Sequence, residues 1–472
     1  MPALDHSVDI AFGAAVLVAA LIASGHAVLN KREPRSSAVW LLVIWILPAM
    51  GPVLYWFLGI NRVERRAARF RRRKVRRLSE PVVRAVEPAT HFAPLARMVG
   101  RIVERPLVPG NLVEPLVDGT HAYPAMLEAI AQAKSTVCMA SYIFDGAGIG
   151  AQFVDALAAA KKRGVEVRVL IDDVDARFSR KSATGPLQAA GVNMAVFNPP
   201  LVPARLHAFN LRNHRKILVA DGRVGFTGGM NIDMRYWRPQ APEEAFHDVH
   251  FRLRGPIVTQ LVEVFAEDWQ FTTGEALRGE HWFPTAEPAG EVIARVIEAG
   301  PDESIDRLRW AIIGGCNAAQ RSIRITTPYF LPDATLIAAL GAAALRGVEV
   351  DILLPERSDL PHVHWAAFGQ LWQVLERGCR VHLRTGSFDH SKLMVVDGAW
   401  TFLGSANWDA RSLRLNFELN VECYSVELGA LMDGMLQKRI ASARPLTMQD
   451  LNRRSLPVKL RDGIARLFMP YL

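Results

Sequence analysis

Cysteine is scarce in this chain, and its few copies are widely spaced. Only four occur in 472 residues, mostly within apolar, strand-like stretches. This spacing provides neither a disulfide framework nor a paired-cysteine zinc motif. We therefore expect buried thiols and a reducing compartment. The four residues are Cys138, Cys316, Cys379 and Cys423.

Net positive charge is nearly absent outside one short segment, although the chain as a whole is basic. The net charge is +9 and the pI is about 9.6. Ten basic residues and one acid, Glu64, lie between Arg62 and Arg77, so the rest of the chain is close to neutral. Nucleic-acid binding depends on Lys and Arg clustered over a surface, so we expect no nucleic-acid partner. The basic segment is typical of a juxtamembrane helix held on anionic headgroups, with a solvated charged helix as the alternative.

Charge of either sign is missing from two long stretches near the N-terminus. Residues 10–29 have none, and residues 38–60 form a second apolar run that contains Pro48 and Pro52. Each run is long enough to cross the hydrocarbon core of a bilayer. We therefore predict a two-segment membrane hairpin in residues 1–61, although the prolines leave open a kinked or re-entrant second segment. A cleaved signal peptide is disfavoured because no basic residue precedes the first run.

The same basic segment predicts an orientation. Segments rich in Lys and Arg beside membrane helices stay on the cytoplasmic side. We therefore expect a multi-pass protein of the cell (inner) membrane, with its N-terminus and its C-terminal bulk in the cytoplasm. Residues 62–110 would form the basic juxtamembrane segment and a linker, because five prolines lie between Ser79 and Gly110.

One motif occurs twice, 176 residues apart, with every internal gap the same. A single His-x-Lys would carry little information, but four residue types repeated at fixed offsets are a specific signal. The first copy contains His214, Lys216, Asp221 and Gly228-Gly229-Met230-Asn231. The second copy contains His390, Lys392, Asp397 and Gly404-Ser405-Ala406-Asn407.

These residue types suit chemistry at phosphorus. A histidine attacks an electrophile as neutral imidazole or delivers a proton as imidazolium, so two of them can divide the labour. Lysine charges and asparagine amides suit an anionic centre. Neither copy has metal-ligand spacing. The sequence therefore favours phosphoryl transfer through a covalent phosphohistidine, with no metal and no other cofactor.

An internal repeat surrounds the motifs. The pentapeptide Arg-Gly-Val-Glu-Val occurs at 163–167 and at 346–350, each time after an alanine-rich helical stretch and before an apolar strand. Helices that alternate with apolar strands predict an α/β fold. We expect one lobe over residues 111–290 and a second over residues 291–472. The second would end in an amphipathic helix from Leu456 that either lies on a membrane surface or packs on the lobe.

The paired motifs resemble the His-Lys-Asp signatures of the phospholipase D superfamily. The context that includes Arg212–Lys216, Gly228–Ile232 and Arg411–Asn420, together with the N-terminal apolar segments, is similar to the bacterial cardiolipin synthases of that superfamily. The resemblance extends over most of the chain from about Asn111. It implies two similar phospholipase D-like α/β lobes that form a pseudo-twofold catalytic unit, with one motif from each lobe at the seam.

The resemblance also implies a reaction between two phosphatidylglycerol molecules at an anionic membrane. One histidine attacks the first molecule, releases glycerol and carries the phosphatidyl group. The other protonates the leaving alkoxide and then activates a hydroxyl of the second molecule. By analogy with relatives, His214 is expected to be the nucleophile and His390 the acid and base. Residues expected to hold the phosphate are Lys216, Lys392, Asn231, Asn407 and, in the second half alone, Ser405.

The acidic residues of interest form two groups. The resemblance places Asp221 and Asp397 among the catalytic residues, but each precedes a glycine between two apolar strands, which favours a tight turn. Asp248 and Glu418, which follow the two histidines by 34 and 28 residues, resemble the histidine-orienting acids of the family. Such a carboxylate fixes the imidazole tautomer and stabilises the imidazolium. The alternative for both is a surface acid at a strand end.

Three classes of function fit these observations. The favoured one is a membrane-bound phosphatidyltransferase that makes cardiolipin. The second is a hydrolase or transphosphatidylase on the same scaffold, which would use water or another alcohol as acceptor. The third is a non-catalytic membrane scaffold, which the intact His and Lys pairs disfavour. The sequence does not determine the oligomeric state.

Overall fold

The computed structural model describes residues 2–31, 34–59, 88, 90–179, 181–197, 212–239, 243–301 and 304–468. The chain divides into two compact units, Met1–Arg69 and Phe70–Leu472. The basic segment 62–77, predicted to be a juxtamembrane helix, lies outside the described residues.

The first unit is helical, and its second predicted membrane segment is interrupted. Helix α1 (Pro2–Asn30) contains the stretch Ile10–Asn30, which is long and apolar enough to cross a membrane. Helix α2 (Pro34–Ile46) is followed by a break and then by α3 (Met50–Leu54) and a π-helical turn (Tyr55–Gly59).

The interruption folds the second segment back on itself. Ala49 has a φ of 64°, and a Cβ on Gly51 would lie 2.7 Å from the Cα of Ile44. The ring of Tyr55 returns to lie 5.3 Å from that of Trp40. The expectation of a continuous second span over 38–60 is therefore wrong, because the break around Pro48 gives the kinked alternative that the prolines left open.

The second unit is built on one 15-stranded sheet whose strand order is nearly symmetric. From one edge to the other the order is β15-β11-β10-β9-β12-β13-β14-β8-β1-β7-β6-β5-β2-β3-β4. The strands are β1 (Val108–Val117), β2 (Thr136–Ser141), β3 (Glu166–Asp172), β4 (Met194–Phe197), β5 (Ile217–Ala220), β6 (Val224–Gly228), β7 (Val249–Arg254), β8 (Val292–Ala299), β9 (Ser322–Thr326), β10 (Glu349–Pro355), β11 (Arg380–Arg384), β12 (Leu393–Val396), β13 (Trp400–Gly404), β14 (Glu418–Tyr424) and β15 (Arg444–Leu446).

Helices connect and cover these strands. They are α4 (Ala93–Ile102), α5 (Asp118–Gln132), α6 (Ile149–Lys162), α7 (Asp173–Phe178), α8 (Thr184–Ala189), α9 (Ile257–Thr273), α10 (Arg307–Ala318), α11 (Ala334–Leu345), α12 (Pro361–Phe368), α13 (Trp372–Leu375), α14 (Ala410–Arg414), α15 (Val426–Ala441), α16 (Met448–Arg453) and α17 (Leu456–Leu467).

The strand order confirms the α/β fold with two similar lobes. The strands β1-β7-β6-β5-β2-β3-β4 of the first lobe correspond to β8-β14-β13-β12-β9-β10-β11 of the second, and β15 is an addition. The lobes join where β1 pairs antiparallel with β8, at Val108 with Ala294 and at Asn111 with Val292. In both repeated pentapeptides the glycine, Gly164 or Gly347, has a φ of 90° and ends the preceding helix.

The stretch from Ser79 to Gly110 is not simply a linker. Within it, α4 presents Leu95, Ala96 and Val99 on one face, and these side chains are buried in the hydrophobic core of the second lobe. Their spacing of one, three and four residues is that of a helix stripe. The linker prediction missed this helix because prolines and mixed polarity surround a run of only ten residues.

Candidate active site

The two motif histidines lie at the seam between the lobes, and each is hydrogen-bonded to the opposite lobe. The backbone N–H of His214, just before β5, donates to the carbonyl of Phe417 at 2.9 Å. The N–H of His390, just before β12, donates to the carbonyl of His247 at 2.7 Å. These hydrogen bonds between the lobes therefore hold the backbone of both histidines in place.

Each imidazole is paired with a carboxylate from the other lobe. Nδ1 of His214 lies 3.0 Å from Glu418, and Nδ1 of His390 lies 2.9 Å from Asp248. In sequence each acid follows the histidine of its own half, but the fold places it against the histidine of the other half. The pairing leaves Nε2 as the ring nitrogen available for chemistry on both histidines.

The motif lysines are buried in equivalent positions. Nζ of Lys216 donates to the carbonyl of His214 at 2.7 Å, and Nζ of Lys392 donates to that of His390 at 2.6 Å. Burial lowers the pKa of Lys216 to about 7 and that of Lys392 to about 8, against the opposing attraction of the carboxylates. Desolvated ammonium groups of this kind bind an anion strongly.

Burial and the lysine charges also keep both imidazoles neutral. Desolvation lowers the pKa of His214 to about 4, although Glu418 opposes the effect. Desolvation, followed by the charges of Lys392, Lys216 and His214, holds the pKa of His390 well below its ordinary value. The two histidines therefore influence each other's charge across the seam.

The two carboxylates differ in their surroundings. Glu418 accepts from the hydroxyl of Ser405 at 2.5 Å and from the amide of Asn416 at 3.2 Å. Burial would raise the pKa of Glu418, but its pairing with His214, the charge of Lys216 and the hydrogen bond from Ser405 hold it below the ordinary value. Burial raises the pKa of Asp248 to about 8, although the charges of both lysines oppose this rise.

The two carboxylates also differ in their neighbours, because the equivalent position is a glycine in the first motif copy and a serine in the second. A Cβ on Gly229 would lie 2.7 Å from the carboxylate of Asp248, so no hydroxyl-bearing side chain fits there. Ser405, at the equivalent place, is fully buried and bonded to Glu418. The hydroxyl of Ser405 therefore holds the carboxylate in this structure, and its contact with phosphate stays a prediction.

The motif asparagines are buried close to the histidines but are bonded differently. Oδ1 of Asn231 accepts from the N–H of Ile143 at 3.3 Å. Within the described part of the chain, Oδ1 of Asn407 has no hydrogen-bond partner. Both remain candidates for phosphate binding.

The motif aspartates lie at the far end of the strands from the histidines. Asp221 follows β5 and accepts from the N–H groups of residues 134–136, at 2.7 to 3.1 Å. Asp397 follows β12 and accepts from those of residues 320–322, at 2.7 to 2.9 Å. Their φ angles are 52° and 53°. These contacts match the turn interpretation, and the catalytic role that the resemblance implied stays an untested prediction.

Several residues that contact the site had no signal in the sequence. The hydroxyl of Tyr236 lies 3.1 Å from Nδ1 of His390, and the ring of Tyr142 packs edge-on against His214 with centroids 4.9 Å apart. Arg215 is buried, donates to Asp268 at 2.6 Å and to the carbonyl of Glu418 at 3.1 Å. A spacing argument does not find the two tyrosines because they reach the site from a 3₁₀ turn and from the end of β2, and for Arg215, which lies inside the motif, it does not reveal the partners.

Among the described residues, no group of three or more His, Cys, Asp or Glu side chains is arranged to hold a metal ion. The expectation of a metal-free reaction stays a prediction for a chelation experiment.

The two symmetric lobes with a histidine and a lysine from each at the seam define an enzyme of the phospholipase D type. A family profile described as "Cardiolipin synthase, PLD-like domain" matches residues 126–269 and 312–440. A second, described as "Phospholipase D-nuclease N-terminal", matches residues 18–59. The fold is similar to that of the phosphatidylserine synthase of Haemophilus influenzae Rd KW20, with a TM-score of 0.60 and 17% identity over 80% of this chain and all of that one.

Named relatives identify the family to which this phospholipase D-type enzyme belongs. The major cardiolipin synthase ClsA of Bacillus subtilis (strain 168) is 31% identical over 458 residues, 94% of this chain and 95% of the relative. A cardiolipin synthase of Geobacillus kaustophilus (strain HTA426) is 32% identical over 454 residues, 94% of this chain and 90% of the relative. The chain belongs to the phospholipase D-like cardiolipin synthase family of phosphatidyltransferases. With its N-terminal apolar helix, this membership indicates association with a membrane.

Proposed function

We propose that this enzyme transfers a phosphatidyl group between two phosphatidylglycerol molecules, giving cardiolipin and glycerol, with His214 as the nucleophile. The proposal is supported by the crossed histidine–carboxylate pairs, in which Nδ1 of each imidazole is occupied and Nε2 is left for chemistry. Two such imidazoles supply the nucleophile and the acid that a two-step displacement at phosphorus requires.

In the first step, Nε2 of His214 attacks the phosphorus of the first phosphatidylglycerol. The N–P bond forms as the bond to the glycerol oxygen breaks, and Nε2 of His390 gives its proton to that oxygen. Phosphodiester binding favours the protonated form of His390 that this step requires. The positive charges nearby lower the pKa of His390, and the negative charge of the phosphodiester raises it again.

In the second step, His390 takes the proton from a glycerol hydroxyl of the second phosphatidylglycerol. The hydroxyl oxygen then attacks phosphorus, and the N–P bond to His214 breaks. Lys216 and Lys392 hold the negative charge of the phosphoryl oxygens in both steps, which is the kind of fixed stabilisation that a transition state of this type needs.

The assignment of His214 as nucleophile is supported by the different charges of the two carboxylates. Glu418, with its pKa held low, is an anion and stabilises the positive charge on a phosphorylated imidazole. Asp248, with its pKa raised to about 8, holds a proton at neutral pH and leaves His390 free to give up its own. Each histidine thus has the partner that its role requires.

A lipid-only assay tests the reaction. The purified full-length enzyme in detergent with phosphatidylglycerol is expected to yield cardiolipin and glycerol in equal amounts, with EDTA present. Phosphatidic acid as the sole lipid product would assign the enzyme to hydrolysis, and activity lost with EDTA would contradict a metal-free mechanism. The covalent intermediate is trapped with an alkaline quench, because phosphohistidine survives base. The peptide that carries the phosphoryl group is expected to contain His214.

We also propose that the catalytic unit faces the cytoplasm of the cell (inner) membrane. The proposal is supported by the ten basic residues between Arg62 and Arg77, which directly follow the apolar segments in the sequence. A C-terminal epitope is expected to be digested by added protease in inverted membrane vesicles and protected in intact spheroplasts. The reverse pattern would place the unit outside.

A further inference from the structure

We propose that the outer face of α17 is a membrane-contacting surface, which seats the catalytic unit on an anionic bilayer beside the histidines. The inference rests on the proposed function, because a lipid substrate has to be drawn from such a surface. It goes beyond that function by naming a part of the catalytic unit, separate from the N-terminal helices, that touches lipid.

The outer face of α17 is an unusually exposed apolar stripe. Its large side chains follow one another at intervals of four, four and three residues, which places them on one side of the helix. Between 57% and 73% of each is exposed, and the adjoining Phe468 is 57% exposed. The residues of this stripe are Leu456, Leu460, Ile464 and Leu467.

The opposite face of α17 is fixed to the lobe, so the stripe cannot turn inward. Asp462 is buried and paired with Arg454 at 2.5 Å and with Arg461 at 2.8 Å. Arg466 donates to the carbonyl of Gly369 at 3.1 Å, and Ala465 packs against the small apolar cluster that includes Val363 of α12. A helix that buries its single acid and exposes its leucines has the polarity of an interfacial helix rather than that of an ordinary surface helix.

The charge around the stripe favours anionic lipid over a protein partner. Lys459 of α17 and Arg453 at the end of α16 are exposed, whereas Arg461 and Arg466 are half-buried at the edge where α17 meets the lobe. The guanidinium of Arg461 lies 4.5 Å from the ring centroid of Trp365, so an amphipathic aromatic side chain joins the basic rim. Basic residues near an anionic surface add electrostatic attraction to the burial of the apolar stripe.

The stripe lies at the same end of the second lobe's strands as His390. Helix α12, on which α17 packs, follows the carboxyl end of β10, and His390 immediately precedes β12, which is antiparallel to β10 and separated from it by β9 alone. The apolar cluster that receives Ala465 also includes Tyr329. The ring of Tyr329 is 6.2 Å from that of Phe388, which in turn is 6.0 Å from His390. Membrane contact at α17 therefore brings the headgroup region near the imidazoles.

Spin labelling of the full-length chain tests the contact directly. The four native cysteines are buried, so a cysteine introduced by Leu460→Cys or Ile464→Cys can be labelled selectively. The control is Leu345→Cys, which is 75% exposed but lies at the end of α11, on the side of the sheet away from the histidines. In phosphatidylglycerol-containing nanodiscs, labels at 460 and 464 are expected to collide more with oxygen than with a water-soluble nickel complex, and the label at 345 is expected to show the reverse.

Two outcomes of this measurement would overturn the proposal. One is a water-like ratio at positions 460 and 464. The other is dipolar broadening between labels, which would assign the stripe to contact with a second copy of the chain. Neither reading depends on the reaction product, so a failed cardiolipin assay and a failed membrane contact are distinguishable.

A kinetic experiment tests whether the contact matters for turnover. The double variant Leu460→Glu/Ile464→Glu is expected to lose about tenfold in activity on phosphatidylglycerol vesicles and to keep most of its activity on a short-chain, micelle-dispersed phosphatidylglycerol. Leu345→Glu is the matched control and is expected to behave as wild type on both. Equal losses on the two substrates would contradict the proposal, because they indicate damage to the fold or to the site.

Discussion

At the scale of single residues, the two histidines are chemically different because their carboxylates are. Glu418 is held as an anion by His214 and Ser405, whereas burial raises the pKa of Asp248 to about 8. A charged hydrogen bond of this kind is worth about 1.5–3 kcal/mol, which corresponds to about 10- to 100-fold in rate.

We therefore expect Glu418→Gln and Asp248→Asn to have unequal effects. At pH 7, Glu418→Gln should lower kcat by about 10- to 100-fold because it removes a charge. Asp248→Asn should lower it by no more than about threefold because it replaces an acid that is already largely neutral. Turnover of phosphatidylglycerol in detergent measures both. Equal losses would contradict the proposed division of roles.

The buried lysines make the stability of the folded protein depend on pH. Burial lowers the pKa of Lys392 in the folded state from 10.5 to about 8, so the folded protein binds fewer protons than the unfolded chain between these values. Its destabilising effect is therefore greatest below pH 8 and declines as the pH rises toward 10.5.

Lys392→Met is accordingly expected to be inactive but more stable than wild type at pH 7. The advantage should shrink by roughly 1 kcal/mol between pH 7 and pH 9. Thermal unfolding followed by tryptophan fluorescence at the two pH values measures it, with the exposed Lys438→Met as control. An advantage that grows with pH would contradict the assignment.

At the scale of elements, each Asp-Gly turn binds the short segment that joins a helix to the next strand. The two turns lie at the ends of β5 and β12 that are remote from the histidines preceding those strands. Asp397→Ala removes the acceptor for three backbone N–H groups and places alanine at a φ of 53°. We expect a loss of about 2–4 kcal/mol in stability. Asp397→Asn keeps an acceptor oxygen and should lose less.

Turnover per folded molecule separates this structural role from a catalytic one. Both Asp397 variants should retain kcat within a few-fold of wild type, when folded enzyme is quantified by size-exclusion chromatography. A loss of several orders of magnitude in Asp397→Asn, with an unchanged unfolding midpoint, would return Asp397 to the catalytic residues.

The repeated elements could be predicted from the sequence, but their partners could not. The equal spacing of the motifs and the two Arg-Gly-Val-Glu-Val segments predicted matching strands and turns, and the structure has them as β3 and β10 and as the turns at Asp221 and Asp397. The crossed pairing of Asp248 with His390 depends on strands from both lobes, which no spacing within one half reveals. The break near Pro48 was foreseen only as an alternative, because proline is tolerated in membrane helices.

At the scale of the whole molecule, both histidines and both carboxylates come from one chain. Co-reconstituting His214→Ala with His390→Ala is therefore expected to restore no activity, even if the protein forms oligomers, because each variant lacks one imidazole in its own seam. Cardiolipin formation by the mixture measures this, with wild type diluted into either variant as control. Recovery approaching a quarter of the wild-type rate would indicate that halves are exchanged between chains.

The short pairing of β1 with β8 has a consequence for how this protein evolved. Two identical subunits joined at such an edge would be obliged by their own symmetry to surround both imidazoles with the same neighbours. Once a duplicated gene places the copies in a single polypeptide, that obligation ends, and equivalent positions can differ, as Gly229 differs from Ser405. Fusion thereby allows the surroundings of the two histidines to differ. One histidine can then serve the donor and the other the acceptor, and selection acts on each independently.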